Sequence, residues 1–245
     1  MIECALGFFP PFNFRSPALW FNSRIKPVMN TEQARFNMIE QQIRPWNVLD
    51  TEILDLLMVV KREEFVPAAF RSLAFMDTEV PLPCGQNMLA PRVEARILQD
   101  AEVKKHETVL EIGAGSGYMA ALLARRARHV TTVEIHPELK ALAENNLAAA
   151  GMGNVEVLQG DGARGFNPGT QYDVIIISGS LPVLPQAFLQ QLKVGGRLMA
   201  FVGELPVMEA QKITRVSERE YRTENLFETS VKPLENAEQP STFRF

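Results

Sequence analysis

Cysteine is scarce in this 245-residue chain: Cys4 and Cys84 are its only two, far apart and outside any paired spacing. A disulfide framework needs more cysteines, and a zinc site or redox dithiol needs them close together, so a reducing, cytoplasmic setting is expected. Histidine is almost as rare. His106, His129 and His136 lack the spacing of metal ligands, and no metal is expected. Positive charge is in deficit, with 25 Lys and Arg against 29 Asp and Glu for a net charge of -4. The sequence-independent attraction to phosphate that drives nucleic-acid binding is therefore missing, and neither DNA nor RNA is an expected partner. Long apolar runs are lacking too. The apolar stretch from Ala5 to Phe14 is broken by Pro10 and Pro11, has no basic lead-in and is far shorter than a membrane span. Neither a secretion signal nor a transmembrane helix is expected.

What is present is an apolar content of 46%, enough to bury one full α/β core but not comfortably two. The first 28 residues are rich in Phe and Pro without period, and Met29-Asn30-Thr31-Glu32-Gln33 reads as a second start leading into a helix. Residues 1–28 are expected to be an extension, the alternative being an ordered arm that packs its phenylalanines on the domain. Residues 29–103 read as a small helical front piece. Phe36, Ile39 and Ile43 fall at helical spacing, and Ile53, Leu54, Leu57 and Met58 repeat the pattern behind an Asp50 or Thr51 cap. Phe65-Val66-Pro67 opens a third short helix or turn, and Pro81-Leu82-Pro83-Cys84-Gly85 reads as an irregular loop. A helix starting near Pro91 runs to about Glu102.

From residue 104 onward short β-rich runs alternate with helical stretches. Strands are expected at 108–112, 130–135, 155–158, 172–178 and 197–202, with helices near 118–127, 137–150 and 184–192. Two weaker strands, 212–216 and 225–231, suit an antiparallel finish. The fold class expected is α/β: a Rossmann-like, mostly parallel sheet of about seven strands, helices on both faces, and the helical portion in front. Val174-Ile175-Ile176-Ile177 is apolar at consecutive positions, as a strand buried on both faces must be.

Gly113-Ala114-Gly115-Ser116-Gly117 follows the first of these strands and opens a helix. Glycines let backbone approach a ligand closely, and the helix start behind them presents free N–H groups. A dinucleotide fingerprint would want a small residue at 118, where the chain has Tyr118, so a nucleoside ligand without pyrophosphate is favoured. Glu134 ends the next strand, where a carboxylate can accept both ribose hydroxyls; the plain alternative is an exposed strand-end acid. Asp161-Gly162 follows the third strand, where an acid can take an adenine amino group, although Gly-Asp-Gly is also ordinary turn chemistry. Cys84 reads as a small semi-buried residue, and Arg125, Arg126 and Arg128 as a solvated helix end.

Together, residues 109–118, Gly160-Asp161-Gly162-Ala163-Arg164-Gly165, Tyr172-Asp173-Val174-Ile175-Ile176 and the corner at 191–198 resemble the protein-L-isoaspartate O-methyltransferases. The front piece agrees through Met38-Ile39-Glu40-Gln41-Gln42-Ile43, Arg62-Glu63-Glu64-Phe65-Val66-Pro67, Phe75-Met76-Asp77 and Pro81-Leu82-Pro83 with Gly85-Gln86. The resemblance implies transfer of a methyl group from S-adenosylmethionine to the carboxylate of an isoaspartyl residue in a damaged protein. The cofactor-binding set is then Glu111, Gly113, Ala114, Gly115, Ser116, Gly117, Glu134, Ile135, Asp161 and Gly162. One position departs. Where the family carries an active-site serine, this chain has Leu89, and Gln86 and Asn87 remain as the polar residues able to hydrogen-bond a substrate. A carboxylate nucleophile is already ionised at neutral pH and needs no general base, so the reaction class survives the loss. The alternatives are a relative that methylates another acceptor or only binds the cofactor, and an NAD-dependent oxidoreductase, against which Tyr118 argues.

Overall fold

A computed structural model describes residues 30–240, and the extension read over residues 1–28 lies outside them. Two short helices, α1 (Thr31–Met38) and α2 (Thr51–Val59), come first. α1 runs into a π-helical turn at Ile39–Ile43 and a 3₁₀ turn at Arg44–Trp46. The wider turn shifts the buried stripe: Arg35, Met38, Ile39 and Ile43 face inward, whereas Phe36, expected inside, is 48% exposed. Asp50 caps α2 by accepting the Glu52 N–H, and Ile53, Leu54 and Leu57 are buried as their spacing predicts. Next comes a small antiparallel hairpin of β1 (Val80–Pro81) and β2 (Asn87–Met88), joined through a 3₁₀ turn at Pro83–Gly85. Sequence alone reads an irregular loop there, because two-residue strands are too short to show alternation. α3 (Pro91–Ala101) starts on its proline and stops where Glu102 turns left-handed, with φ of 49°.

The remaining elements are β3 (Thr108–Ile112), α4 (Tyr118–Arg126), β4 (His129–Glu134), α5 (Pro137–Ala149) and β5 (Val155–Gln159), then β6 (Tyr172–Leu181), α6 (Gln186–Gln190), β7 (Leu192–Glu204), β8 (Val207–Arg215) and β9 (Tyr221–Thr229). β3 to β9 form one sheet of seven strands in the order β5-β4-β3-β6-β7-β8-β9. β5 through β7 in that order run parallel, and β8 and β9 finish it antiparallel. Along the central strands successive side chains enter opposite cores. Val109, Val174, Ile176, Met199 and Phe201 pack with α3, α4 and α5, whereas Leu110, Ile175, Ile177, Leu198 and Ala200 pack with Phe188 of α6. That alternation is why the strands read as continuous apolar runs. The front helices contribute Ile43, Leu54, Leu57 and Phe65 to the same core as α3 to α5.

β6 and β7 are longer than their apolar runs, and α6 is shorter than the stretch 184–192. In β6 the register slips between Ile176 and Ser180, so Ser178 and Gly179 bulge out of the ladder. Bulges of this kind re-aim backbone beside functional sites.

Candidate functional site

The strand order reverses at β3 and β6: successive strands step outward to β4 and β5 on one side and to β7 on the other. Ligands of open α/β sheets lie outside the carboxyl ends of the strands at such a point. A cleft with about 700 Å³ of open space sits there, within the range of small-molecule sites. Its base is Ile112 and Gly113 from β3 and its turn, with Ser178 and Gly179 from the β6 bulge. Glu134, Ile135 and His136 form one wall and residues 160–163 the next. Gln86, Asn87 and Leu89 of the hairpin face them with Glu79, and the segment 231–235 crosses over the top.

The glycine turn adopts the backbone that only glycine tolerates readily. Gly113, Gly115 and Gly117 have φ of 93°, 53° and 84°. The Gly113 and Ala114 N–H groups both donate to the Val133 carbonyl, at 2.9 and 3.2 Å, which ties the turn to β4. Gly113 and Gly115 line the cleft. Gly117 does not: a Cβ there would lie 3.2 Å from the Ala143 carbonyl oxygen, so its role is close packing of α5 on the turn. The tight packing that Tyr118 cannot give is supplied one residue earlier, and Tyr118 itself is buried against Phe65. Ala114, Ser116 and Glu111 border a smaller adjoining recess that also reaches Leu89 and Ser178.

Glu134 is 4% exposed, and its two oxygens accept the Gly115 and His136 N–H groups at 2.9 and 3.0 Å. Asp161 accepts the Ala163 N–H at 3.0 Å through one oxygen and the Asn236 amide at 2.9 Å through the other. Glu111 lies fully buried beneath the turn, accepting from Thr132 at 2.7 Å and Ser178 at 3.0 Å. Burial raises its pKa to about 8, with those two hydroxyl bonds acting the other way. Glu94 is also pushed up, to about 7, by burial that outweighs the Arg62 guanidinium paired with it. Arg62 additionally donates to the Leu89 carbonyl at 2.7 Å, fixing the residue that follows β2.

On the hairpin, Asn87 donates to Glu79 at 3.0 Å and Gln86 to Glu235 at 2.7 Å. Leu89 turns inward to border both cavities. Cys84 is exposed rather than semi-buried, because it sits at the turn with φ of 57°, and its Sγ lies 3.6 Å from Glu138. Partial desolvation and that carboxylate raise the thiol's pKa, which disfavours a thiolate nucleophile. Among the described residues no cluster of His, Cys, Asp or Glu is placed to hold a metal, and no helix is long and apolar enough to cross a membrane. Sequence reasoning missed the crossing segment. Val231, Lys232, Pro233, Leu234 and Glu235 have neither period nor motif, and Lys232 donates across the cleft to the Gly85 carbonyl.

The family model for Protein-L-isoaspartate(D-aspartate) O-methyltransferase (PCMT) matches residues 33–239. This chain belongs to that family. Protein-L-isoaspartate O-methyltransferase 1 of Rhodopseudomonas palustris (strain HaA2) is 40% identical over 223 residues, covering 86% of this chain and 91% of that protein. The protein-L-isoaspartate O-methyltransferase of Methanoculleus marisnigri is 38% identical over 192 residues, 78% of this chain and 86% of its own length. In fold, the chain matches a crystal structure of a Plasmodium falciparum protein of that name in complex with S-adenosyl-L-homocysteine. The TM-score is 0.70 at 18% identity, over 82% of this chain and 98% of that one. Membership of the PCMT family spans the front piece and the sheet alike, so the hairpin and the glycine turn belong to one inherited unit.

Proposed function

We propose that this PCMT family member methylates the carboxylate of isoaspartyl residues in damaged proteins, with S-adenosylmethionine as donor, in a cytoplasmic setting. The observation that carries this is the placing of Glu134 and the glycine turn on one side of a single cleft, with the hairpin residues 86–89 on the other. The residues fit the donor. Gly113 and Gly115 leave bare backbone at the cleft floor, Glu134 presents a carboxylate beside it, and Asp161 presents a second at the far wall.

Each Glu134 oxygen spends one lone pair on a backbone N–H and keeps another, so the pair can accept two ribose hydroxyls. Asp161 keeps equivalent capacity for an adenine amino group, and Ile135, Gly162 and the backbone of Ala114 and Ser116 complete the cofactor contacts. Gly117 and Glu111 act from behind, by packing and by holding Ser178. Bound S-adenosylmethionine supplies an electrophilic methyl group carried on a sulfonium. A free carboxylate has a pKa of about 4, so it arrives ionised and no side chain need remove a proton. What the chain contributes is orientation and exclusion of water, with Leu89 as an apolar wall and the Gln86 and Asn87 amides at the rim.

The leucine at the family's serine position favours one other reading, a family member that binds the cofactor and methylates a different acceptor. Titration with S-adenosylhomocysteine, followed by methyl transfer to an isoaspartyl peptide and its aspartyl twin, decides between them. Selective transfer to the isoaspartyl peptide is expected; binding without transfer would move the search to another acceptor.

A further inference from the structure

We infer that Lys232 is the substrate-binding residue that receives the methyl-accepting carboxylate, an assignment that rests on the isoaspartyl reading above. The cleft is an acidic place. Glu79, Glu134, Asp161 and Glu235 line it, and Lys232 is the only Lys or Arg among the described residues that do. A substrate whose reactive group is an anion meets repulsion from those walls unless a cation faces it. Lys232 is that cation.

Its position is fixed by bonds between Ser180 and the backbone of the crossing segment. The Ser180 N–H donates to the Lys232 carbonyl at 3.0 Å, the Leu234 N–H to the Ser180 carbonyl at 3.0 Å, and the Ser180 hydroxyl to the Val231 carbonyl at 2.7 Å. These bonds clamp the crossing segment to β6 just past its bulge. From there the side chain reaches over the cleft to the Gly85 carbonyl, beside Gln86. An ammonium has three donors. Gly85 takes one, and among the described residues no carboxylate forms an ion pair with Lys232, so two N–H groups remain for an incoming oxygen. The other polar groups on this side, the Asn87 and Gln86 amides, are neutral and each already donates one N–H, to Glu79 and to Glu235. One substrate oxygen held by Lys232 leaves the second free to attack. Methyl transfer would form the O–CH3 bond as the S–CH3 bond of the donor breaks, its electron pair staying on the sulfur of the departing S-adenosylhomocysteine; the carboxylate becomes a neutral ester, which removes the partner that Lys232 holds and favours product release.

A purely structural role, stapling the crossing segment to the hairpin, makes a different prediction. The test is to saturate wild type, Lys232→Met and Lys232→Arg with S-adenosylhomocysteine. Each is then titrated with an isoaspartyl peptide and with the same peptide bearing a carboxamide in place of the free carboxylate. Wild type is expected to prefer the carboxylate by about tenfold or more. Lys232→Met should lose that preference while keeping its affinity for S-adenosylhomocysteine, and in turnover its KM should rise more than its kcat falls. Lys232→Arg should restore most of the preference. A Met variant that binds both peptides more weakly but still prefers the carboxylate as wild type does would mark Lys232 as a staple and overturn the assignment. Wild type that methylates no isoaspartyl peptide would sink the substrate reading and this inference together; wild type that methylates it beside an unaffected Met variant sinks the inference alone.

Discussion

The Glu134 carboxylate holds the glycine turn through the Gly115 N–H and caps the start of the next segment through the His136 N–H. On the proposed reading its removal would deprive the ribose of its acceptors, and it leaves two backbone donors to find water. Glu134→Ala should therefore weaken S-adenosylhomocysteine binding by about 1–3 kcal/mol, read by titration calorimetry; unchanged affinity would return Glu134 to a structural role. Leu89 bears on chemistry in the opposite sense. General acid or base catalysis is worth about 10²–10⁴-fold where a proton must move, and with an ionised nucleophile none must. Leu89→Ser should accordingly change kcat/KM for an isoaspartyl peptide by less than about tenfold; a gain of a hundredfold would show that the hydroxyl does what the ionised carboxylate was argued not to need. Gly113, Gly115, Glu134 and Asp161 were legible in the sequence because each sits at a strand end with a chemistry that strand ends use. Lys232 and Glu235 were not, since they come from irregular chain roughly seventy residues after Asp161 and are delivered by two backbone bonds to Ser180 and one from its hydroxyl.

Among the elements, the strands of the parallel half were the most legible, even at the half-exposed edge strand β5. β3, β4 and β5 end within about a residue of their apolar runs. β7 begins five residues before Arg197, because residues 193–196 bulge from the ladder around Gly195 and Gly196 and read as a turn. The chain just after the hairpin of β1 and β2 is tied down by the buried Arg62, which pairs with Glu94 and donates to the Leu89 carbonyl. Nothing in the run Arg62-Glu63-Glu64 shows which of its charges goes inside; Arg62 is 0% exposed and Glu64 stays out. Truncating one partner of a buried pair costs about 3–5 kcal/mol. Arg62→Met should approach that loss at pH 8, where Glu94, pushed higher still without the guanidinium, must take up a proton that the wild-type carboxyl has released, and should cost less at pH 6, where the wild-type carboxyl already holds that proton. Urea unfolding at the two pH values checks it: an equal loss at both would mean that the Leu89 carbonyl bond, not the ion pair, carries the stabilisation.

For the molecule as a whole, cofactor binding and folding are linked, because the glycine turn and the acid walls exist only in the folded sheet. S-adenosylhomocysteine at a hundred times its Kd should stabilise the fold by about 2.7 kcal/mol. That raises the Tm by about 5–10 °C for a chain of this size, and NAD at the same concentration should raise it by nothing measurable. Glu111 sets a second global property. Its carboxyl titrates at about 8 in the fold and at 4.5 when free. Between those values the unfolded chain has released a proton that the folded chain retains, so the unfolded state is favoured increasingly as pH rises, until both forms are ionised above 8. Stability from this group is thus greatest at acidic pH and lost toward pH 8, opposite to a salt-bridged carboxylate. Glu111→Gln keeps the neutral shape and has no proton to lose. Wild type should lose about 2 kcal/mol more than this variant between pH 6 and pH 8; parallel unfolding curves for the two proteins would place the Glu111 proton elsewhere.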